Sequence, residues 1–380
     1  MADIFDNILG QPQVREFLRA TISGGKVSHA YLFTGPAGSN KTMSAYAFAQ
    51  AILCDNDGCD ACDCCKRVMR KKHPDVRYFA PEGAGGYLVD QIRDIVADTT
   101  LAPIRASKKI YILDRVDLLG SSSANAFLKT LEEPPDDVVL ILLGRTRESV
   151  LPTIVSRCQV VPFRHIPASE AAGILMQNTG ASKMAADIAI QACDGSITKG
   201  IEFLKSNERM EFRSRVLEVL QSLALADDWD MITYASDLVV KAKAPLDVVR
   251  EALEADLAES ADFLAKSVIR QIEARNKRAL TAKSFESLHQ MTAIIRSWLR
   301  DVMTVCAGTP ELVINVDARQ AIEEAAALTD EARAAAALAA VRKADEALTY
   351  NVSPETCLDA LLFEIRSILY GTSSSHKAAI

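Results

Sequence analysis

The sequence has no uninterrupted apolar run of about 18 residues, which excludes a membrane-spanning helix. Its start, Met1-Ala2-Asp3-Ile4-Phe5-Asp6, has neither a charged leader nor an apolar core, so no signal peptide is expected. There is no excess of positive charge. Lys and Arg total 43 against 50 Asp and Glu, a net charge of −7. That argues against broad, non-specific coating of DNA and leaves room only for a local basic patch. Aromatic residues are scarce at 6%. No internal repeat of fixed period is present, and no low-complexity stretch beyond the Ala-rich patch around Ala332 to Ala340. What remains is a soluble, globular composition, 49% hydrophobic and 24% charged, and a cytoplasmic location is expected. A length of 380 residues suits two or three domains.

The cysteine count is nine, an odd number, and five of them crowd between Cys54 and Cys65. Without a secretion signal this reads as metal binding, not disulfides. The spacing is Cys54-x4-Cys59-x2-Cys62-x2-Cys65, with Cys64 as the spare. Four thiolates in short loops suit tetrahedral zinc, and a closed four-sulfur site is structural, not catalytic. Lys66-Arg67 and Arg70-Lys71-Lys72 follow. They are either a solvated face, the simpler reading, or a basic patch near a partner.

The chain is organised around Gly35-Pro36-Ala37-Gly38-Ser39-Asn40-Lys41-Thr42. An apolar strand-like run, Ala30 to Phe33, precedes it, and an Ala-rich helix-like run, Met43 to Leu53, follows. Strand, glycine turn and Lys-Thr opening a helix make a P-loop. Its backbone N–H groups cradle phosphates, the Lys reaches the terminal phosphates and the Thr holds magnesium. The pattern asks for Gly where Asn40 stands. Asn tolerates φ > 0 better than other non-glycine residues, so the loop can still fold. A side chain then stands where phosphates approach. Two readings stay open, a nucleotide site and a glycine turn with no ligand.

Lys108 to Asp114 reads as a buried central strand ending in an acid. In P-loop ATPases such an acid orders magnesium and a following Glu polarises the attacking water. Here Arg115 follows, and a cation cannot act as base; Asp117 is two residues further on. Gly35, Gly38, Lys41, Thr42 and Asp114 are thus a candidate but degenerate site for ATP and magnesium. Further strands are expected at 76–80, 138–143 and 159–163, alternating with helices at 14–22, 89–99 and 121–133. That alternation means an α/β fold with a parallel, doubly wound sheet. After Pro167 the pattern is all helical. The expected organisation is a P-loop domain over 1–167 with a zinc module at 54–65. A helical lid over 168–207 follows, then a helical bundle over 208–372 and a disordered tail at 373–380.

These pieces resemble the AAA+ clamp-loader family of bacterial DNA polymerase III, and within it the delta-prime type. Phe5 to Gln11 resembles the family's N-terminal box, and His29 to Phe33 its strand into the P-loop. Asn125-Ala126-Phe127-Leu128-Lys129-Thr130-Leu131-Glu132-Glu133-Pro134-Pro135 is close to its signature, and Ser156-Arg157-Cys158 matches its serine-arginine-cysteine motif. A four-cysteine module after the P-loop helix is a shared feature, here with a shorter first spacing. Asn40 and Arg115 depart from the active ATPase pattern. Arg145 or Thr146 stands near the first nucleotide sensor, and Thr198, beside Lys199, stands where motor subunits carry a second-sensor arginine.

The resemblance implies one member of a heteropentamer with gamma/tau and delta-like subunits. That ring opens the sliding clamp and places it on primed DNA. This chain would supply Arg157 in trans to a neighbour's ATP, without ATPase activity of its own, as a component of the DNA polymerase III holoenzyme. The last domain would be the collar. An active gamma/tau-like motor keeps Lys41, Thr42 and Asp114 but lacks the Glu. A zinc-dependent nucleic-acid adaptor fits poorly with the acidic net charge.

Overall fold

A computed structural model describes residues 4–82, 86–193, 195–261, 266–349 and 353–371. The tail expected at 373–380 lies outside the described residues. The chain divides into two compact units, residues 1–178 with 195–198, and residues 179–194 with 199–380.

The first unit is built on five parallel strands: β1 (Ala30–Thr34), β2 (Val76–Phe79), β3 (Lys109–Leu113), β4 (Val138–Gly144) and β5 (Gln159–Pro162). Their order is β2-β3-β4-β1-β5, so β1 lies between β4 and β5. Every residue of β1, β3 and β4 is buried, as continuous apolar runs in a parallel sheet require. Alternate side chains serve opposite faces. Tyr31, Phe33, Ile110, Ile112, Val139, Ile141 and Leu143 join a core with α1 (Pro12–Ser23) and α2 (Lys41–Leu53). Leu32, Tyr111, Leu113, Leu140 and Leu142 join one with α4 (Val89–Thr99), α5 (Ser121–Glu132) and α6 (Pro152–Val155). Between them in the chain, α3 (Asp63–Met69) adds Val68 to the first of these cores. Helix α2 is buried nearly all round, because Ala45, Ala47, Ala49 and Ala51 let it lie close to its neighbours. The unit closes with α7 (Ala168–Thr179).

The second unit is helical throughout its described residues. It contains α8 (Lys183–Ala192), the greater part of α9 (Ile197–Lys205), α10 (Asn207–Ser222), α11 (Asp228–Ala261) and α12 (Lys266–Cys306). It ends with α13 (Arg319–Ala327), α14 (Glu331–Thr349) and α15 (Pro354–Tyr370). The sequence suggests a break near Pro245, yet α11 runs through it. Proline removes one helix hydrogen bond. Burial of Leu238, Val239, Ala242 and Leu246 on both sides of it outweighs that loss. The core of this unit also holds charge. Buried Arg213 grips Asp317 through both Nη atoms and reaches Asn315 at 2.7 Å. Fully buried Asp301 accepts from the N–H groups of Ile314 and Asn315 and from Arg300.

A second buried carboxylate pins the sheet. Asp75, just before β2, accepts N–H bonds from Ile104, Arg105 and Ala106 at 2.7–2.9 Å. Burial pushes its carboxyl up, but these three donors outweigh it and hold it below the usual aspartate range. Such a group stabilises the fold above the usual carboxylate pKa, and this is lost as pH falls through the folded value. Asp75→Asn is therefore expected to cost about 2 kcal/mol at neutral pH. The gap to wild type should close below about pH 4 in urea unfolding. An equal gap at both pH values would count against this role.

Candidate functional site

The P-loop lies where β1 ends and α2 begins. Gly35 admits no side chain, since a Cβ there would meet Phe163 at 2.7 Å. Gly38 has φ +76°, and a Cβ on it would meet the Gly195 carbonyl at 2.9 Å. The backbone of Gly195 and Ser196, in the same unit, therefore lies directly against the loop.

Asn40 adopts φ 67°, ψ 19°, the left-handed conformation that its residue type tolerates. Its side chain does not simply fill the phosphate space. The amide Nδ2 donates to the Leu9 carbonyl at 2.9 Å, and Oδ1 accepts from Thr198 Oγ1 at 3.1 Å. Gln11 adds a second tie from the N-terminal box, donating to the Ser39 and Arg164 carbonyls. Lys41 folds back over its own loop. Its ammonium donates to Gly35 O at 2.5 Å, Pro36 O at 2.7 Å and Ser39 Oγ at 3.2 Å. All three of its donors are thereby occupied. Burial is the main reason its pKa falls to about 8; Asp114 and Asp117 oppose the fall and Arg145 adds to it. Thr42 is the second residue of α2 and half-buried.

Asp114 follows β3, at the same end of the parallel strands as the loop with β4 between them, and each of its oxygens accepts a hydrogen bond. Oδ2 accepts from the Tyr78 hydroxyl at 2.7 Å and Oδ1 from the Arg115 N–H at 2.9 Å. The Tyr78 ring stacks on Tyr46 of α2 with centroids 6.3 Å apart. Arg115 is exposed and left-handed at φ 51°, so the position after the acid points a cation into water. Asp117 bears on Lys41 electrostatically and keeps one buried oxygen without a partner among the described residues. Tyr78 was not legible as a site residue, and Thr198 was placed near the site only by resemblance, with no sign of its bond to Asn40. They lie far along the chain from their partners, and no spacing rule links them.

The cysteines converge. The Sγ atoms of Cys54, Cys59, Cys62 and Cys65 all lie within 4.8 Å of one another. Cys54 is 3.8 Å from both Cys59 and Cys62. Tetrahedral zinc–thiolate bonds of about 2.3 Å place sulfurs about 3.8 Å apart, so this cluster fits a metal ion such as zinc. The short first spacing closes because Asp57, Gly58 and Asp60 are all left-handed, which turns the loop tightly. Burial pushes the Cys54 thiol up, but the N–H groups of Cys59, Asn56 and Gly58 outweigh it and bring it to about 6. Cys64 faces elsewhere, 3.6 Å from the Leu53 carbonyl and 3.7 Å from His73 Nε2, and burial pushes it up to about 11.

Arg157 follows α6 and precedes β5. The P-loop follows β1, parallel to β5, so the two stand at opposite ends of these strands. Its guanidinium pairs with Glu132 and also donates to the Thr153 carbonyl at 2.7 Å.

The parallel sheet, the glycine turn into α2 and the acid after β3 define a P-loop domain, with a four-cysteine cluster and a helical C-terminal region. A family model described as DNA polymerase III, delta subunit matches residues 10–167. The chain is 32% identical over 230 residues to the DNA polymerase III subunit tau of Bacillus subtilis, covering 58% of this chain and 40% of that protein. It is 30% identical over 216 residues to the DNA polymerase III subunit delta' of the same organism, covering 56% and 65%. The subunit tau of Escherichia coli is 34% identical over 158 residues, covering 40% of this chain and 24% of that protein. The chain thus resembles DNA polymerase III subunits of both kinds, delta' and gamma/tau, and spans 65% or less of the length of each of these three. A solved gamma subunit-related protein of Thermotoga maritima aligns over 92% of this chain and 98% of its own. It does so at 18% identity and a TM-score of 0.41, which adds nothing to the fold seen in the sheet itself.

The cysteine geometry makes a sharp expectation. Purified protein should carry about one zinc per chain. Cys62→Ser should lose it and Cys64→Ser should keep it, read by metal analysis. The reverse pattern would move the fourth ligand to Cys64.

Proposed function

We propose that this chain is a delta-prime-like, non-motor subunit of a DNA polymerase III clamp loader, acting in the cytoplasm. It joins gamma/tau and delta-like subunits in a heteropentamer that loads the sliding clamp onto primed DNA. The observation that carries the reading is Asn40. Its amide ties the P-loop to Leu9 and to Thr198, so the cradle is held by its own chain. The exposed cation at Arg115, where a base would stand, supports the same conclusion: ATP is not turned over here. Cys54, Cys59, Cys62 and Cys65 hold a structural zinc. Residues 168–207 act as the lid, and 208–372 as the collar through which the subunits assemble.

Arg157 works on a neighbour's nucleotide. It stands at the end of the strands opposite its own P-loop. A planar guanidinium reaching in trans stabilises the charge that builds on the transferring phosphoryl group. A motor reading, gamma/tau-like, is favoured by the retention of Lys41, Thr42 and Asp114. The two readings part on turnover.

The chain alone is expected not to hydrolyse ATP, and Asn40→Gly alone should not create turnover, because Arg115 still replaces the base. Turnover by the wild-type chain that Lys41→Ala abolishes would establish the motor reading instead. In the reconstituted complex, Arg157→Ala should leave assembly and zinc content intact and cut DNA-stimulated turnover and clamp loading. Loss of a trans arginine can cost on the order of 10³ in rate at the one site it serves. With several motor sites the overall drop is smaller. Arg157→Lys should rescue little, since a point charge cannot reproduce the planar fork. Unchanged turnover and loading would make Arg157 merely structural.

A further inference from the structure

Two sequence features that lie 25 positions apart, the Glu132-Glu133-Pro134-Pro135 end of α5 and Ser156-Arg157-Cys158, meet in one ion pair. The donors of Arg157 can be counted. Nε donates to Glu132 Oε1 at 2.7 Å, and Nη2 donates to the same oxygen. Nη1 donates to the Thr153 carbonyl at 2.7 Å and to Ser156 Oγ at 3.2 Å. Four of the five guanidinium N–H groups are therefore in use, and one on Nη2 remains. Bidentate recognition of a phosphoryl group takes two parallel N–H groups along one edge of the fork. The Nε–Nη2 edge is closed by Glu132, and the Nη1–Nη2 edge is half closed by Thr153 and Ser156. In this arrangement the arginine cannot clamp a phosphate.

We infer that Glu132 parks Arg157 in the unassembled chain, and that the finger acts only after leaving it. Resting on the trans-arginine reading above, this makes Glu132 a positioning residue that competes with the neighbour's phosphates for one guanidinium. Its place in the helix supports this. Glu132 is the last residue of α5, where the helix dipole disfavours an acid, so helix stability does not explain it. The pair is also built to open. The two side chains are 31% and 48% exposed, and water can solvate both once they part. A neighbour's triphosphate carries more negative charge than one carboxylate and can displace it.

The test is made in the reconstituted complex, with ATP and primed DNA. An exposed pair of this kind biases an equilibrium by about two- to five-fold. At the one site that Arg157 serves, Glu132→Gln and Glu132→Ala are expected to raise DNA-stimulated turnover by about that factor, a smaller rise in the kcat of the whole complex, with a still smaller change in KM for ATP. Thermal melting of the full chain should be unchanged, because both groups face solvent. In an Arg157→Ala background the Glu132 substitutions should do nothing, so that the double variant equals Arg157→Ala. If Glu132→Gln lowers kcat as Arg157→Ala does, Glu132 holds the finger in its working pose and the parking role is overturned. No change in kcat with Glu132→Gln, while Arg157→Ala lowers it, overturns parking alone. If Arg157→Ala itself changes nothing, the trans-arginine reading fails and parking fails with it.

Discussion

The first unit depends on a single left-handed residue. Asn40 turns the chain from the glycine loop into α2 and, in doing so, aims its amide at two other stretches. One face of the amide donates to Leu9 in the N-terminal box, the other accepts from Thr198. A glycine here would make the same turn and tie nothing. The residue that departs from the nucleotide-binding pattern is thus also the residue that joins positions 9, 40 and 198. Lys41 satisfies its ammonium on the loop's own carbonyls. The cost of that burial appears as its lowered pKa.

The same economy of polar groups recurs elsewhere. Three buried charges each have a specific set of partners: Asp75 its three N–H groups, Asp301 its loop and Arg300, Arg213 its bidentate aspartate. A carboxylate without such donors costs several kcal/mol to bury, roughly the scale of a domain's whole stability. These groups therefore fix which loops lie against which elements, more sharply than apolar packing does. The cysteine cluster belongs to this class. Four thiols that close repel one another once ionised, and a divalent cation bound among them would turn that repulsion into a staple.

The sequence by itself determined the periodicities. Continuous apolar runs marked the buried strands at 30–34, 109–113 and 138–144 to within a residue or two, because a strand covered on both faces is filled mostly by apolar residues. Cysteine spacing identified the four converging thiols and the one left out, since x2 spacing on a tight turn presents both sulfurs to one point. The tolerance of Asn for φ > 0 foretold the backbone at position 40. Only the tertiary structure decided the rest. It carried α11 through Pro245, where packing on both sides outweighs a lost hydrogen bond. It brought Tyr78 to Asp114, Thr198 to Asn40 and Glu132 to Arg157. These pairs are separated by 25 to 158 positions. A hydrogen bond depends on a few tenths of an ångström and on direction, and such geometry is set by how the sheet and its loops stack, not by any local run of residues.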